Sequence, residues 1–132
     1  MPTVREVMSK DLVVVDRAMT VEEASAVMWA GHAGSALVME GDRLAGIFTE
    51  RDIMKALSRH ADTGRTATVR ECMTFDPVTV DADASVGEAL DRMLTGGFRH
   101  LPVTEGGRLV GLISMTDVAH ATARPGGEPI AD

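Results

Sequence analysis

The chain repeats itself. Thr3-Val4-Arg5-Glu6 returns as Thr68-Val69-Arg70-Glu71, and one constant offset keeps Thr3 to Leu57 aligned with Thr68 to Thr122 without a gap. Along that register Met8 meets Met73, Asp11 meets Asp76, Val15-Asp16 meets Val80-Asp81 and Glu23-Ala24 meets Glu88-Ala89. Further on, Glu40-Gly41 meets Glu105-Gly106, Gly46 meets Gly111 and Asp52 meets Asp117. Two copies of one supersecondary unit, each too small to bury a good core alone, are expected to pack on each other about a pseudo-twofold axis. The copies span residues 1–60 and 68–122, joined by a linker at 61–67 and followed by a tail at 123–132 that is expected to be disordered.

The bulk properties exclude several classes of function. A hydrophobic content of 45% over 132 residues suffices for a packed interior. A net charge of −7 argues against nucleic acid as a partner, because affinity for a phosphate backbone comes from clustered Lys and Arg. No apolar run reaches the length of a membrane span, and the opening Met1-Pro2-Thr3-Val4-Arg5-Glu6 lacks the apolar stretch of a signal peptide. The expectation is a cytoplasmic protein with no membrane partner. The single cysteine, Cys72, takes the place of Val7 in the other copy and reads as a small apolar packing residue.

Each copy carries the same local signals. Thr-x-x-Glu at Thr3 and Thr68 is a capping box opening a short helix, Val4 to Met8 and Val69 to Met73. Asp11 to Val15 and Asp76 to Val80 then suit a short buried strand. Further helix starts stand at Thr20 and Ser85; after the second, Val86, Ala89, Leu90, Met93 and Leu94 form one apolar face that ends at Gly96-Gly97. Two apolar strands around Glu40-Gly41-Asp42 or Glu105-Gly106-Gly107 predict a hairpin. A last helix starts at Thr49 or Ser114, with Ile53, Met54 and Leu57 inward in copy one and Val118 and Ala121 in copy two. The class is α+β, two β-α-β-β-α repeats, each preceded by a short helix.

Gly46-Ile47-Phe48-Thr49-Glu50-Arg51-Asp52-Ile53, its partner Gly111-Leu112-Ile113-Ser114-Met115-Thr116-Asp117-Val118, and Gly97-Phe98-Arg99-His100-Leu101-Pro102-Val103 resemble the cystathionine-β-synthase (CBS) domain family. The chain looks like a stand-alone CBS pair, or Bateman module, from about Val4 to Ala121. Members bind AMP, ADP, ATP, S-adenosylmethionine, NAD-type cofactors, cyclic dinucleotides such as cyclic di-AMP, or nothing detectable, and many regulate an attached enzyme or channel.

In [Ser/Thr]-x-x-Asp at a strand–helix junction, backbone N–H groups point out of the positive helix end and favour a phosphate. The Asp one turn in offers acceptors for two ribose hydroxyls; the alternative reading is a capping box with Asp in place of Glu. The resemblance implies that Asp52 and Asp117 bind ribose, with Thr49 and Ser114 beside the phosphates. It also implies clefts between the two repeats. Asp117's cleft would draw on Ser114, Leu112 and His100 with Leu12, Val13 and Gly34. Asp52's would draw on Thr49 and Ile47 with Pro77, Val78, Phe98 and Arg99. For the apolar members, core packing is the competing role. Copy two has Phe98-Arg99-His100 where copy one has Ala33-Gly34-Ser35, so copy two alone brings a cation to the position from which the family often contacts phosphate. Arg51 either compensates near the first cleft or is a solvated helix-face arginine.

His32, His60 and His120 show no mutual ligand spacing, and with one cysteine no metal site is expected. No nucleophile–base pair or Walker loop points to catalysis, so the chain reads as no enzyme. The leading reading is a non-enzymatic sensor of an adenine nucleotide (AMP, ADP, ATP or a related adenosine compound) that signals through the geometry of a homodimer to an unidentified regulated protein. The alternative is a constitutive interaction module with empty clefts. Trp29, on the first long helix, is assigned either to the dimer interface or to the core.

Overall fold

The computed structural model describes residues 2–59 and 63–123; the tail beyond them and His60 lie outside the described residues. In chain order the elements are α1 (Val4–Val7), β1 (Val14–Val15), α2 (Val21–Ala30), β2 (Ser35–Glu40), β3 (Arg43–Thr49) and α3 (Glu50–Arg59). After a 3-10 turn at Gly64–Thr66 come α4 (Val69–Cys72), β4 (Thr74–Phe75), β5 (Val80–Asp81), α5 (Val86–Gly96), β6 (His100–Glu105), β7 (Arg108–Ser114) and α6 (Met115–Ala121).

These elements condense into two compact units whose boundaries cut across the repeats. One, here the central unit, is Leu12–Pro77; the other, the flanking unit, joins residues up to Asp11 with those from Val78 onward. Each unit therefore takes its leading helix from the other repeat: α4 belongs to the central unit and α1 to the flanking one.

In the central unit the sheet order is β1-β2-β3-β4, parallel between β1 and β2 and antiparallel elsewhere. Gly41 at φ +62° turns the β2–β3 hairpin, a backbone region that disfavours any side chain. Alternation along the strands puts Ala36, Val38 and Phe48 on the face covered by helices, where they join Val15, Val21, Ala24, Met28, Ala56, Val69 and Met73 in one core. Ser35, Leu37, Ile47 and Thr49 consequently share the opposite face. Helix α4 docks through main-chain bonds, Val21 N–H to Ala67 O at 2.8 Å and Val69 N–H to Met19 O at 2.8 Å. Gly46 lets the chain after α4 approach: a Cβ there would lie 2.8 Å from both Thr74 O and Met73 Sδ.

The flanking unit repeats this plan with a sheet of order β5-β6-β7. Its core gathers Val4, Val80, Ala82, Val86, Ala89, Met93, Leu101, Val103, Ile113 and Val118. Helix α1 is held by Val4 N–H to Ala84 O at 2.8 Å and by the Ser9–Leu112 bridge. The Arg5 guanidinium reaches the carboxylates of Glu105 and, at 3.1 Å, Asp83. The central unit meets the counterpart Glu40 with a different cation, Arg17, at 3.0 Å.

Several expected placements change in three dimensions. Met54 and Leu57 do not turn inward: they are 65% and 45% exposed, and the face of α3 that joins the central core carries Ile53 and the small Ala56 instead. Leu94, at 67% exposure, lies outside the stripe formed by Val86, Ala89 and Met93. Trp29 is 83% exposed and so is no core residue. The strands after the leading helices are only two residues each, and Val14 in the first is half exposed. The edge strand β4, absent from the sequence reading, forms because α4 delivers Thr74 and Phe75 alongside Ile47 and Gly46.

Candidate functional site

In both units the second hairpin strand runs directly into a helix, and the junction residue and the Asp three positions on close a reciprocal cap. Thr49 N–H donates to Asp52 Oδ2 at 2.9 Å, and Asp52 N–H donates to Thr49 Oγ1 at 3.3 Å. Ser114 N–H donates to Asp117 Oδ2 at 2.8 Å, and Asp117 N–H donates to Ser114 Oγ at 3.1 Å. The capping role weighed from the sequence is therefore present. It occupies one carboxylate oxygen only: Oδ1 of each Asp has no hydrogen-bond partner among the described residues. An ionised carboxylate has about four lone-pair sites, so the cap leaves acceptors for a diol. Both Asp side chains are half-buried, where a hydrogen bond to a charge gains strength over one made in water.

The preceding hairpin strand reinforces each junction. Gly34 O accepts Glu50 N–H at 3.0 Å and Arg99 O accepts Met115 N–H at 2.9 Å, pinning the start of β2 or β6 against the first helical turn. At these starts the units part company. Ser35, opposite Thr49 in the ladder, is 3% exposed and its Oγ has no hydrogen-bond partner among the described residues. His100, opposite Ser114, is half-buried and follows the exposed Arg99.

The remaining expected site residues divide between the units. With Thr49 and Asp52, the central unit holds Leu12, Val13, Gly34, Ile47, Arg51 and Pro77; with Ser114 and Asp117, the flanking unit holds Val78, Phe98, Arg99, His100 and Leu112. Ile47 is buried beside Thr49 on the same sheet face, while Leu12, Val13 and Pro77 are half-buried. Val13 packs against the central core and tightly under Gly31, where a Cβ would come within 2.8 Å of its Cγ2. Phe98 folds its ring over Gly96 and packs on the flanking core. Arg51 is exposed on α3, without an ion pair among the described residues.

Ser35 is not among the residues expected to bind the ligand: the sequence sets it in register with His100 only as the residue that brings no cation to the first strand start. Cys72 packs at the edge of the central core, and burial, then the charges of Glu71 and Asp52, push its thiol up from the ordinary value. Among the described residues no three His, Cys, Asp or Glu side chains are grouped to hold a metal ion, and no helix is long and apolar enough to cross a membrane.

A family model described as the CBS domain matches the chain twice, at residues 4–59 and 69–124. An uncharacterized 17.7 kDa protein of Acidianus ambivalens is 40% identical over 121 residues, 89% of this chain and 71% of the relative. Some other curated relatives are longer, the match spanning 40% of one from Methanocaldococcus jannaschii and 22% of a CBS domain-containing protein of Arabidopsis thaliana. Among solved structures, the CBS-domain protein ATU1752 from Agrobacterium tumefaciens superimposes with a TM-score of 0.87 at 31% identity, over 91% of this chain and 98% of that one. The CBS pair of MJ0100, solved with 5′-methylthioadenosine and S-adenosylmethionine, gives 0.82 at 24% identity over 91% and 98% of the two chains. CBSX2, solved in complex with AMP, gives 0.79 at 23% over 92% and 96%.

Proposed function

Since this chain belongs to the CBS-domain family, as a tandem pair of a regulatory rather than a catalytic module, we propose that it is a non-enzymatic sensor of adenosine-containing ligands. The observation that carries the reading is the doubled junction: in each unit a hairpin strand ends on a Thr or Ser whose helix start is capped by a half-buried Asp with one carboxylate oxygen to spare. Asp52 and Asp117 would accept the ribose hydroxyls, Thr49 and Ser114 would stand by the 5′ end, and Ile47 and Leu112 would contribute apolar surface to the base. The same fold carries AMP in CBSX2 and adenosyl thioethers and sulfonium compounds in MJ0100, which supports adenosine as the shared element of the ligand.

The flanking unit is the better phosphate site in this reading, because Arg99 and His100 stand at the strand start where the central unit has Gly34 and Ser35. Signalling would pass through a homodimer. Trp29, Met54 and Leu57 expose large apolar surface on α2 and α3, and a shallow groove between those helices is lined by Val21, Ile53 and Leu57. A second copy of the chain is the proposed cover, and the partner protein would read the dimer.

Native mass spectrometry of freshly purified protein tests both parts, since it reports bound small molecules and subunit number together. Adenosine compounds at about one hundred times their dissociation constant should stabilise the fold by roughly 2.7 kcal/mol and raise the melting temperature accordingly. Flat melting curves across AMP, ADP, ATP, S-adenosylmethionine, NADH and cyclic di-AMP would leave the ligand-free interaction module as the surviving reading. A monomer at micromolar concentration would remove the dimer.

A further inference from the structure

We propose that Ser35 contacts the ligand in the central unit and makes that site select adenosine compounds whose 5′ end carries an uncharged polar group rather than a phosphate. The inference rests on the sensor reading above and adds a ligand class that it does not assign.

The starting point is the Ser35 hydroxyl. It is buried at 3% residue exposure with no hydrogen-bond partner among the described residues. A hydroxyl has one donor hydrogen and two acceptor lone pairs, and burying it unpaired costs free energy that a neutral replacement such as Ala would not incur. Such a group in a folded protein calls for an explanation.

Its position suggests what completes it. Ser35 pairs directly with Thr49 across the β2–β3 ladder. Side chains directly opposite in an antiparallel pair project from the same face with Cβ atoms roughly 4.5–5.5 Å apart. The Ser35 hydroxyl therefore stands beside the N-terminus of the ten-residue helix α3, on the side of the Thr49 cap. Gly34 O, bonded to Glu50 N–H at 3.0 Å, holds the strand start in that place. Donor and acceptor capacity thus lies across the ladder from Thr49, the residue that Asp52 caps, and Asp52 Oδ1 also has no partner among the described residues.

Charge then sets the class. The strand start is Ala33-Gly34-Ser35, with no cation, and the first turn of α3 carries the acidic Glu50 and Asp52. Arg51, next to Glu50 and Asp52 in the first turn of α3, is exposed on the helix face. Against the favourable positive end of α3, a phosphate dianion would meet two carboxylates there and no side-chain cation at the strand start, whereas a 5′-hydroxyl both donates and accepts without charge. The flanking unit offers Arg99 and His100 at the equivalent place, which suits the phosphorylated ligand.

Isothermal titration calorimetry on the full chain decides the matter, with adenosine, 5′-deoxyadenosine and AMP as probes and Asp117→Ala as the background that silences the flanking site. Adenosine is expected to bind more tightly than either 5′-deoxyadenosine or AMP. Adding Ser35→Ala should weaken adenosine roughly three- to tenfold, the loss of one neutral hydrogen bond, while leaving 5′-deoxyadenosine unchanged. The same substitution should raise the melting temperature of the ligand-free protein, an opposite sign that a purely structural role would not produce. Ser35→His should shift preference toward AMP; should that variant fail to fold, Ser35→Ala carries the decision. Equal adenosine affinity with and without the hydroxyl, or AMP preferred over adenosine in the Asp117→Ala background, overturns the inference and leaves the sensor reading standing. Absence of binding of all three probes to the unmodified chain overturns the inference, and the sensor reading then stands or falls on the melting curves with ADP, ATP, S-adenosylmethionine, NADH and cyclic di-AMP.

Discussion

The central and flanking units share one plan and differ where chemistry is done. Position for position, Phe48 answers Ile113, His32 answers Gly97 and Ser35 answers His100, different side chains at matching places, while Gly46 and Gly111 are the same residue facing different neighbours. The cores tolerate the exchange of an aromatic for an aliphatic side chain because both stay fully buried. The strand starts are less forgiving. In the proposed sites, a buried neutral hydroxyl and a half-buried imidazole beside a guanidinium would favour different ligands, so duplication of the scaffold would not have duplicated the site.

The largest expected effect tests whether the two cores are equivalent. Phe48→Ala should destabilise by about 3–5 kcal/mol and Ile113→Ala by about 2–5, the aromatic costing more through its larger cavity. Urea denaturation followed by circular dichroism measures both, and an Ile113→Ala loss exceeding that of Phe48→Ala would reverse this ranking of the cores.

Next comes the ribose contact. Asp117→Ala should reduce AMP affinity by roughly ten- to hundredfold, corresponding to about 1.5–3 kcal/mol for hydrogen bonds to a charge, while Asp52→Ala should matter less for AMP. Both substitutions also remove a helix cap, worth about 1 kcal/mol, so calorimetry belongs well below the melting transition. Loss of AMP binding in Asp52→Ala with retention in Asp117→Ala would invert the assignment and bring Arg51 forward as the phosphate contact.

The docking of the leading helices provides a finer comparison. At Gly46 a new Cβ would meet main-chain Thr74 O at 2.8 Å, while at Gly111 the shortest contact, 2.5 Å, is with the flexible Met8 side chain and Ser9 O stands at 3.0 Å. Backbone cannot swing aside as a methionine does. Gly46→Ala is therefore expected to cost more than Gly111→Ala, within the about 1–3 kcal/mol typical of overpacking. Equal melting temperatures for the two variants would show that β4 yields as readily as Met8.

The smallest effect concerns the ends of the long helices. Gly97 at φ +73° and His32 at φ +53° occupy the same left-handed stop, natural for glycine and strained for histidine. His32→Gly should raise stability by about 0.5–1 kcal/mol, and Gly97→Ala should lower it by about 1. Thermal unfolding of the pair gives the sign of each.

Much of this was legible along the chain because the forces involved are local. A Thr or Ser three residues ahead of an acid closes a cap through contacts spanning one helical turn, and the cap at Ser114 and Asp117 is formed as its spacing implies. Hairpins around Gly41 and Gly106-Gly107 follow from backbone conformations that only a few residues adopt readily. The repeat itself, and with it the doubling of the junction, is a property of the residues alone.

Tertiary structure decided the rest. No local signal says that α1 packs with the second repeat's strands and α4 with the first repeat's, because that depends on which hydrophobic surface each four-residue helix can reach to bury Val4 or Val69. The period of α3 admits Met54 and Leu57 to an apolar face as well as Ala56, and only the packing of the helix on the central core selects the face with the smaller side chain. Ser35 reads in one dimension as an ordinary strand serine. Its role in the proposed site comes from burial without a partner, a fact about the surroundings of one oxygen atom that exists only once the chain has folded.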